Sequence, residues 1–475
     1  VMSELQARNP RTGQIDYRFE ADDAAAVNAA VGKARAAQVA WAESGIARRA
    51  EVLHKWAAQL QRDMATIAAA LSIDTGRARI SHEEVDAIVH MIHGYAEHAE
   101  KVFAPVSRAS GAPDIDFEQQ YVPYPVVGVI SPWNFPMVLS FFDALPALMA
   151  GCTVVIKPSE VTPRFVEPLM ESIRAVPELD GVIQVVRGDG ATGQALIAAV
   201  DLIVFTGSIP TGLKVAQAAA QRLIPCFLEL GGKDPAIVLA GADLDRAATS
   251  ILRSAVYNTG QVCYAIERVY VDERVHGEFV RLLAGKAAAL ALNYPDMGHG
   301  EIGPFIFDRQ AAIVAAQLSD AEAKGARIVT GGAVEEHGGG LYMRATVVDG
   351  ATHEMELMTE ETFGPVVPVM AFGDVDEAVR LANDTRYGLT AAVFGPTPEE
   401  ATRVAARVNA GAVSINDTDL PRAITLDGEK MAFGMSGIGG SRYGASTMMR
   451  YVRKKALIRN HGEVKPLAVL SEEEA

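Results

Sequence analysis

The sequence contains little cysteine and no surplus of positive charge. Three cysteines among 475 residues cannot build a disulfide framework, and an odd number is typical of a reducing compartment such as the cytoplasm. A formal net charge of -16 leaves no polybasic surface to neutralise phosphates. These two absences favour a cytoplasmic protein and argue against nucleic acid and anionic membranes as partners.

Membrane, targeting and metal signals are also lacking. The first twenty residues show no apolar run behind a basic cluster, so we expect no secretory signal. The most apolar stretch, 121–156, is interrupted by prolines and polar residues, whereas a membrane span needs about 20 continuous apolar residues. His90, His93 and His98 share a predicted helix without a Cys or Glu-x-x-His partner, and we expect no metal site.

The residues that are present predict a folded protein of two or three domains, since 49% are hydrophobic and the chain is long. Ala-rich segments with helical spacing cover 22–42, 46–74 and 81–103, so the first hundred residues are predicted to be mostly helical. Ser81 and Glu84 have the spacing of a capping box at the start of the third helix.

From about Pro125 onward, short β-branched runs alternate with helical segments. The predicted strands of a first series are Val126–Ile130, Thr153–Lys157, Val182–Val186, Leu202–Thr206, Cys226–Leu230 and Ala236–Leu239. Those of a second series are Val269–Asp272, Ala326–Thr330, Val366–Phe372, Ala391–Phe394 and Ala412–Asn416. Alternating strands and helices imply parallel βαβ units, and therefore two doubly wound α/β domains in tandem.

Among the cysteines, Cys263 has the setting of a nucleophile. Only a thiolate is a strong nucleophile near neutral pH, and it needs an accessible, polar environment. Cys263 lies in a polar, glycine-containing break between a helix and a strand, whereas Cys152 and Cys226 adjoin apolar strands and are expected to be packed. The sequence around Cys263 alone leaves a catalytic and a structural role equally open.

Two other segments carry groups that suit the same chemistry. Glu229 ends an apolar strand immediately before a glycine-rich turn, where a carboxylate can activate water as a general base. Asn134 lies between Pro132 and Pro136, and its amide can donate to an oxyanion from a rigid backbone. Taken singly, a solvated turn and a rigid loop without a catalytic role are the simpler explanations.

Two glycine-containing segments compete as the binding site of a nucleotide. The segment 188–193 follows a predicted strand and matches the dinucleotide fingerprint in spacing. Gly207 and Ser208 instead join a strand to a helix N-terminus, which is a natural pyrophosphate site. Lys157 and Glu160 end another strand and could both reach ribose hydroxyls.

Taken together, these residues resemble the aldehyde dehydrogenase superfamily over nearly the whole chain. Cys263, the candidate nucleophile, follows Glu229 by a little over thirty residues, and the motifs occur in the family's order. The matching motifs are Pro132–Pro136, Lys157–Glu160, Phe205–Ser208, Glu229–Lys233, Gly260–Cys263, Glu361–Pro365, Gly411–Asn416 and Phe433–Gly439.

The resemblance implies a role for each catalytic group. Cys263 would attack the aldehyde carbonyl, and the Asn134 side chain with the Cys263 backbone N–H would hold the oxyanion. After hydride transfer to the nicotinamide, Glu229 would deprotonate the water that hydrolyses the thioester. An aldehyde would thus become a carboxylic acid.

The resemblance also assigns the cofactor site and favours Gly207 and Ser208 over 188–193 for the pyrophosphate. Glu160 would repel a 2′-phosphate, so NAD is expected to be preferred, although Lys157 leaves room for NADP. The implied cofactor-binding residues are Trp133, Lys157, Ser159, Glu160, Gly207, Ser208, Leu230, Gln310, Glu361 and Phe363.

The family fold implies an α/β architecture of three parts. A Rossmann-like cofactor domain would comprise 1–110 and 125–240, and a catalytic domain would comprise 241–430. A small β oligomerisation element would combine 111–124 with 431–475, including a strand at Tyr451–Asn460. Family members form homodimers or homotetramers through such strands, and an exposed edge gives the physical reason.

The substrate is the least defined part of the expectation. Position matching places Phe135, Leu139, Phe142 and Tyr264 at the substrate funnel, which favours an apolar or aromatic aldehyde. Tyr264 stands where the family usually has a small residue, and the loop at Phe433–Met435 departs from the usual Pro-Phe-Gly-Gly.

Three alternatives remain at the level of the sequence. Arg422 could hold the carboxylate of a semialdehyde, although acidic residues on the same loop oppose this. A CoA-acylating enzyme would dispense with the hydrolytic glutamate, so Glu229 argues against it. A catalytically silent binding protein on the same fold would be expected to lack Cys263 or Glu229, and both are present.

Overall fold

A computed structural model describes residues 3–472 of the chain, and its N-terminal part is mostly helical, as predicted. The first elements are β1 (Glu4–Arg8), β2 (Ile15–Glu20), α1 (Ala24–Glu43), α2 (Ile46–Thr75) and α3 (Arg79–Val102). The Asp23 side chain caps α1 by accepting from the amides of Ala25 and Ala26. The antiparallel hairpin of β1 and β2 is a feature that the sequence patterns do not predict.

The expected capping box at Ser81 and Glu84 is wrong. Helix α3 begins at Arg79, and Ser81 lies inside it with its hydroxyl donating to the Arg77 carbonyl at 2.6 Å. The Glu84 carboxylate pairs with the Arg77 guanidinium at 2.8 Å instead of turning back to the backbone. A tertiary ion pair therefore replaces the local cap.

The middle of the chain alternates strands with helices, as predicted. Its elements are β3 (Val106–Ala109), β4 (Ile115–Pro123), β5 (Val126–Ile130), α4 (Pro136–Phe141), α5 (Ala144–Ala150), β6 (Thr153–Lys157), α6 (Val166–Arg174), β7 (Ile183–Val185), α7 (Gly190–Ala199), β8 (Leu202–Thr206), α8 (Ile209–Gln221) and β9 (Cys226–Glu229).

The second half continues the alternation. Its helices are α9 (Leu244–Val256), α10 (His276–Ala288), α11 (Asp308–Ala323), α12 (Glu356–Thr359), α13 (Val375–Asn383) and α14 (Pro398–Ala405). Its strands are β10 (Asp234–Val238), β11 (Ile266–Asp272), β12 (Arg327–Thr330), β13 (Val334–His337), β14 (Gly340–Met343), β15 (Thr346–Asp349), β16 (Val366–Phe372), β17 (Thr390–Phe394), β18 (Ala412–Ile415), β19 (Gly437–Ile438) and β20 (Val452–Asn460).

Two large sheets organise the described residues. The first has the order β19-β9-β8-β5-β6-β7, and its strands are parallel except β19. The second has the order β12-β15-β16-β11-β10-β17-β18, and only β12 runs antiparallel to its neighbour. Every residue of β8 and β10 is buried, as expected for strands covered on both faces. The predicted α/β class with two parallel-sheet domains is confirmed, but the assignment of the strand at Ala236–Leu239 to the first series is wrong. This segment forms β10, which pairs with β11 and β17 in the second sheet.

A small antiparallel sheet completes the fold. It has the order β20-β4-β3, and Val452 pairs with Pro123 at one end and Asn460 with Ile115 at the other. Residues 437–438, which the sequence grouped with the oligomerisation element, pair with β9 of the first large sheet. The end of that predicted element, 473–475, lies outside the described residues. No helix between residues 3 and 472 is long and apolar enough to cross a membrane.

The first sheet explains where side chains of different strands can meet. Strands β5, β6, β8 and β9 are parallel neighbours, so their carboxyl ends lie at one edge of the sheet. Lys157, Thr206 and Glu229 are the last residues of β6, β8 and β9. The edge therefore gathers the predicted cofactor residues and the predicted base.

Candidate active site

Cys263 lies on a sharply turned loop between α9 and β11. Asn258 and Thr259 have positive φ angles of 51° and 60°, and Gly260 follows at 73°. A side chain at Gly260 would meet the Gly364 carbonyl oxygen at 2.2 Å, so this close approach requires glycine. The Gln261 side chain fixes the turn, because it donates to the Asn258 carbonyl and accepts from the Ile306 amide, both at 2.9 Å.

Asn134 is bonded directly to this cysteine loop. Its side-chain Nδ2 donates to the Gln261 carbonyl at 3.0 Å, and its own carbonyl accepts from Asn258 Nδ2 at 3.1 Å. Only 3% of Asn134 is exposed. The structure thus brings the predicted oxyanion donor and the loop of the predicted nucleophile together, with one N–H of the amide engaged and a second N–H remaining.

Arg77 and Glu84 hold this junction in place, and sequence reasoning missed both. Arg77 Nη2 donates to the Asn134 carbonyl and to Glu84, each at 2.8 Å. The other Glu84 oxygen accepts from the amides of Met137 and Val138 at 2.9 and 3.0 Å. The only available signal was the Ser81–Glu84 spacing, which pointed to a cap.

Glu229 lies at the end of β9, with 8% of the residue exposed. Its strand neighbours are Thr206 on β8 and Gly437 on β19. Just beyond it, a side chain at Gly232 would meet the Cys263 carbonyl oxygen at 2.5 Å. The chain that follows Glu229 therefore packs directly against the cysteine loop.

The loop at Glu361 and Phe363 closes the same cleft. The Glu361 carboxylate accepts from the Gly232 amide at 3.1 Å, and a side chain at Gly231 would meet it at 2.6 Å. Burial and the neighbouring Glu267 carboxylate raise the pKa of Glu361. The Phe363 backbone has a positive φ of 53°, and its ring lies 5.5 Å from that of Trp133.

A buried ion pair supports this loop and was also missed from the sequence. Lys233 Nζ contacts Glu267 and the Thr362 hydroxyl, each at 2.8 Å. Glu267 in turn accepts from the amides of Thr362 and Phe363 at 2.7 and 2.8 Å. Gln310, a predicted ribose neighbour, donates to the Thr362 carbonyl at 2.6 Å. The carboxylate of Glu267 thus fixes the turn that carries Glu361 and Phe363.

The predicted adenosine side of the cofactor site lies at the edge of the first sheet. Lys157 Nζ and Glu160 form an ion pair of 3.3 Å, in which the Lys157 side chain is 5% exposed and the Glu160 side chain 43% exposed. The Ser159 hydroxyl accepts from the Val161 amide at 3.2 Å. Gly193 of the competing glycine segment also approaches Lys157, since an added Cβ would lie 3.7 Å from its side chain.

The predicted pyrophosphate side fits a dinucleotide. Ser208 precedes the 13-residue helix α8 in an extended conformation, so the free amides of its first turn lie beside Gly207 and Ser208. A side chain at Gly207 would meet the Phe205 ring at 2.6 Å, and one at Gly212 would meet Leu230 at 2.6 Å. The space at both glycines is thus filled by neighbouring side chains of the chain itself, and the group that could face a pyrophosphate is the row of amides at the start of α8.

The predicted substrate residues have different surroundings. Phe142 lies against Tyr443 at 5.5 Å and under the Arg442 guanidinium at 4.7 Å. Phe135 is held between the Arg77 guanidinium at 4.6 Å and the Tyr257 ring at 6.0 Å. Leu139 is half-buried on α4, and Tyr264 is half-buried beside Cys263.

Arg422 lies near the same aromatic residues. Its guanidinium is 4.7 Å from the centre of the Tyr257 ring and donates to the Tyr257 hydroxyl at 3.2 Å. Two acidic residues of its loop are occupied elsewhere: Asp417 accepts from Arg253 at 2.7 Å, and Asp419 accepts from Ser254 at 2.9 Å. Arg253 therefore neutralises Asp417, whereas the Asp419 carboxylate is bonded to a neutral hydroxyl and still acts on the charge of Arg422.

The Cys263 thiol needs help to ionise. Burial raises its pKa to about 12, although Lys430 and Arg442 act in the opposite direction. A thiol with a raised pKa is neutral at pH 7, and its thiolate fraction grows about tenfold per pH unit below that pKa. We therefore expect iodoacetamide to inactivate the free protein at a rate that rises about tenfold per pH unit between about pH 7 and 9. Cys263→Ala gives the background labelling, and a rate that levels off within this range would contradict a high pKa.

The fold and these motifs can be compared with known proteins. The sequence model of the Aldehyde dehydrogenase family matches residues 2–457. The match places the chain among the NAD(P)-dependent oxidoreductases. More particularly, it belongs to the aldehyde dehydrogenase family.

Individual relatives agree with this membership. A protein of Mycobacterium tuberculosis, provisionally named succinate-semialdehyde dehydrogenase [NADP(+)] 2, is 35% identical over 94% of this chain and 86% of its own length. A solved structure of the provisionally assigned aldehyde dehydrogenase PutA from Anabaena variabilis is 47% identical, with a TM-score of 0.95 over 98% of this chain and 99% of its own. Betaine aldehyde dehydrogenase from Staphylococcus aureus, solved with NAD+, is 29% identical, with a TM-score of 0.91 over 97% of this chain and 93% of its own.

Proposed function

We propose that this protein oxidises an aldehyde to a carboxylic acid with NAD, through a covalent intermediate on Cys263. The observation that carries the proposal is the hydrogen bond of 3.0 Å from Asn134 Nδ2 to the Gln261 carbonyl. This bond sets a rigid amide donor beside the loop of a cysteine, which is the arrangement that acyl chemistry on a thiol needs.

The residues of the chain divide the reaction between them. As its thiolate, the form that thioester hydrolysis regenerates, the Cys263 sulfur attacks the aldehyde carbon, and the remaining Asn134 N–H with the Cys263 amide stabilises the oxyanion. NAD, when bound, accepts the hydride that leaves this carbon. The loop of Glu361 and Phe363 holds the nicotinamide end of the cofactor, and Glu267 keeps that loop in place.

Glu229 completes the reaction as the general base. It takes a proton from water, the water oxygen attacks the thioester carbon, and the carbon–sulfur bond breaks to release the acid and the Cys263 thiolate. Its place at the end of β9, with the following turn packed on the cysteine loop, supports this role. Hydrolysis by Glu229 is the reason to prefer this reaction over transfer to CoA.

The site supports a preference for NAD over NADP. The exposed Glu160 carboxylate, paired with Lys157 at 3.3 Å, puts negative charge where a 2′-phosphate would lie. The Mycobacterium relative carries NADP(+) in its name, so the two cofactors need direct comparison.

For the substrate we propose an apolar or aromatic aldehyde, because aromatic residues lie near Cys263: Tyr264 follows it in the chain, and Tyr443 is close enough to act on both and packs against Phe142 at 5.5 Å. A second candidate is a semialdehyde that carries a carboxylate. It is favoured by Arg422, whose guanidinium lies on Tyr257, and by the name of the Mycobacterium relative.

A panel of aldehydes tests both candidates. NADH or NADPH formation would be followed by absorbance with short aliphatic, long aliphatic, aromatic and carboxylate-bearing aldehydes, each with NAD and with NADP. We expect aromatic aldehydes with NAD to give kcat/KM values at least about tenfold above those of semialdehydes, the range that one or two apolar contacts provide. Faster turnover of semialdehydes, lost in Arg422→Gln, would establish the second candidate instead.

Assembly and compartment follow from two further features. Eight of the nine residues of the outer strand β20 are exposed or half-buried. The outer edge of this strand can therefore pair with a second copy of the chain, and we propose a homodimer or homotetramer. All three cysteines are free thiols, which supports a reducing compartment such as the cytoplasm.

A further inference from the structure

A buried cluster of two arginines and one aspartate lies beneath the approach to the site. Asp143 pairs with Arg442 at 2.5 Å, and Arg450 lies 3.7 Å away from it. The Tyr451 hydroxyl donates to the same carboxylate at 3.0 Å. All three charged side chains are less than a tenth exposed. One carboxylate thus faces two guanidinium groups, and the cluster needs a further negative charge for balance.

The nearest strand end supplies that charge. Arg442 Nη2 donates to the Thr206 hydroxyl at 3.0 Å. Thr206 and Glu229 are direct partners in the parallel pairing of β8 and β9, so their side chains point to the same face of the sheet. Adjacent strands lie about 4.8 Å apart, so the Arg442 guanidinium lies on the same face of the sheet as Glu229, without a direct ion pair to it among the described residues. On the other side of Glu229, its partner in the antiparallel pairing with β19 is Gly437, which has no side chain.

Arg442 also keeps an unused donor. Its Nε–H is buried and has no hydrogen-bond partner within residues 3–472. Although burial acts in the opposite direction, the pKa of Arg442 is raised, because the Asp143 and Glu229 carboxylates both favour its charged form.

We propose that Arg442 is a positioning residue, which supplies the positive charge that balances and orients the Glu229 carboxylate for the hydrolysis of the thioester. Asp143 and Thr206 hold the guanidinium on the face of the sheet that carries Glu229. Only 8% of Glu229 is exposed, so little water remains to solvate a charge there, and a cationic neighbour offsets that cost. The proposal rests on the proposed role of Glu229 as the base.

Rapid mixing with NAD and aldehyde separates the two halves of the reaction. In Arg442→Met we expect the amplitude of the NADH burst to remain near one per active subunit, although the burst forms more slowly because Arg442 also lowers the pKa of the Cys263 thiol. The later steady rate is expected to fall by about tenfold to 100-fold, the range for partners that hold a site group in place. Arg442→Lys keeps the charge and is expected to recover most of the steady rate. Loss of the burst together with the steady rate, or no recovery with lysine, would overturn the proposal.

Two matched variants complete the test. Arg450→Met removes the other guanidinium of the same cluster, which stacks on the Phe227 ring at 4.2 Å, and we expect its burst and steady rate to stay near those of the parent. Thr206→Val removes the hydroxyl that anchors Arg442 and is expected to slow the steady rate alone, so it serves if Arg442→Met does not fold. If the steady rate of Arg450→Met falls as much as that of Arg442→Met, the cluster acts only by stabilising the folded protein.

The double variant distinguishes this inference from the proposed function. If Arg442 acts through Glu229, then Glu229→Gln with Arg442→Met has the same steady rate as Glu229→Gln alone. Losses that multiply would refute the coupling. If Glu229→Gln by itself shows no slow second phase, the role of the base fails, whatever Arg442 does.

Discussion

Cys263→Ala is expected to abolish NADH formation, with kcat/KM falling by at least about 10³-fold, because no other group replaces a covalent nucleophile. Cofactor binding is expected to survive, since the predicted nucleotide residues belong to the edge of the first sheet and to the loop at Glu361. A steady-state assay of NADH formation measures turnover, and a fluorescence titration with NAD measures cofactor binding.

Cys226→Ala is the matched control for this experiment. Cys226 lies in β9 of the first sheet, is half-buried, and has its pKa raised to about 11 by burial. Its removal is expected to leave turnover close to that of the parent. Full activity in Cys263→Ala would remove this residue from the role of nucleophile, and a fall of similar size in Cys226→Ala would point to a general loss of structure.

The strands that the sequence located best are those whose burial is uniform. Leu202–Thr206 and Thr153–Lys157 have the predicted bounds in the structure, since a strand covered on both faces is a nearly continuous apolar run. Glu4–Arg8 and Ile15–Glu20 were missed, because most of their residues are exposed or half-buried and only their pairing defines them as strands.

The residues of the candidate site also fall into two groups, those that a local sequence motif predicts and those that it does not. Cys263, Glu229 and Asn134 are predicted as catalytic residues because each stands in a short motif that resembles one of the family. The groups that hold the motifs in place were not found, since they are distant in the chain: Arg442 and Asp143 are separated by 299 positions. Arg77 and Glu84 are close in sequence, but their ion pair serves the Asn134 loop, a contact that no local pattern reveals.

Glu229→Gln is expected to separate the two halves of the reaction more completely than any other change. The amide cannot take a proton from water, so one equivalent of NADH should form in a burst and the thioester should then persist. The steady rate is expected to fall by about 10²-fold to 10⁴-fold, the usual contribution of a general base. Mass spectrometry of the stalled protein would find the acyl group on Cys263.

Glu160→Gln is a suitable control, because it removes a carboxylate of the same cleft edge without touching the thioester. In Glu160→Gln the size of the NADH burst relative to the steady rate of NADH formation is expected to equal that of the parent protein. If Glu229→Gln turns over at the parent rate, another group must activate the water, and the positions nearest to the cysteine loop then become the candidates. If added CoA instead restores the steady rate of Glu229→Gln, the site can pass the acyl group to CoA. Glu229 is then the group that directs the thioester to hydrolysis in the parent protein.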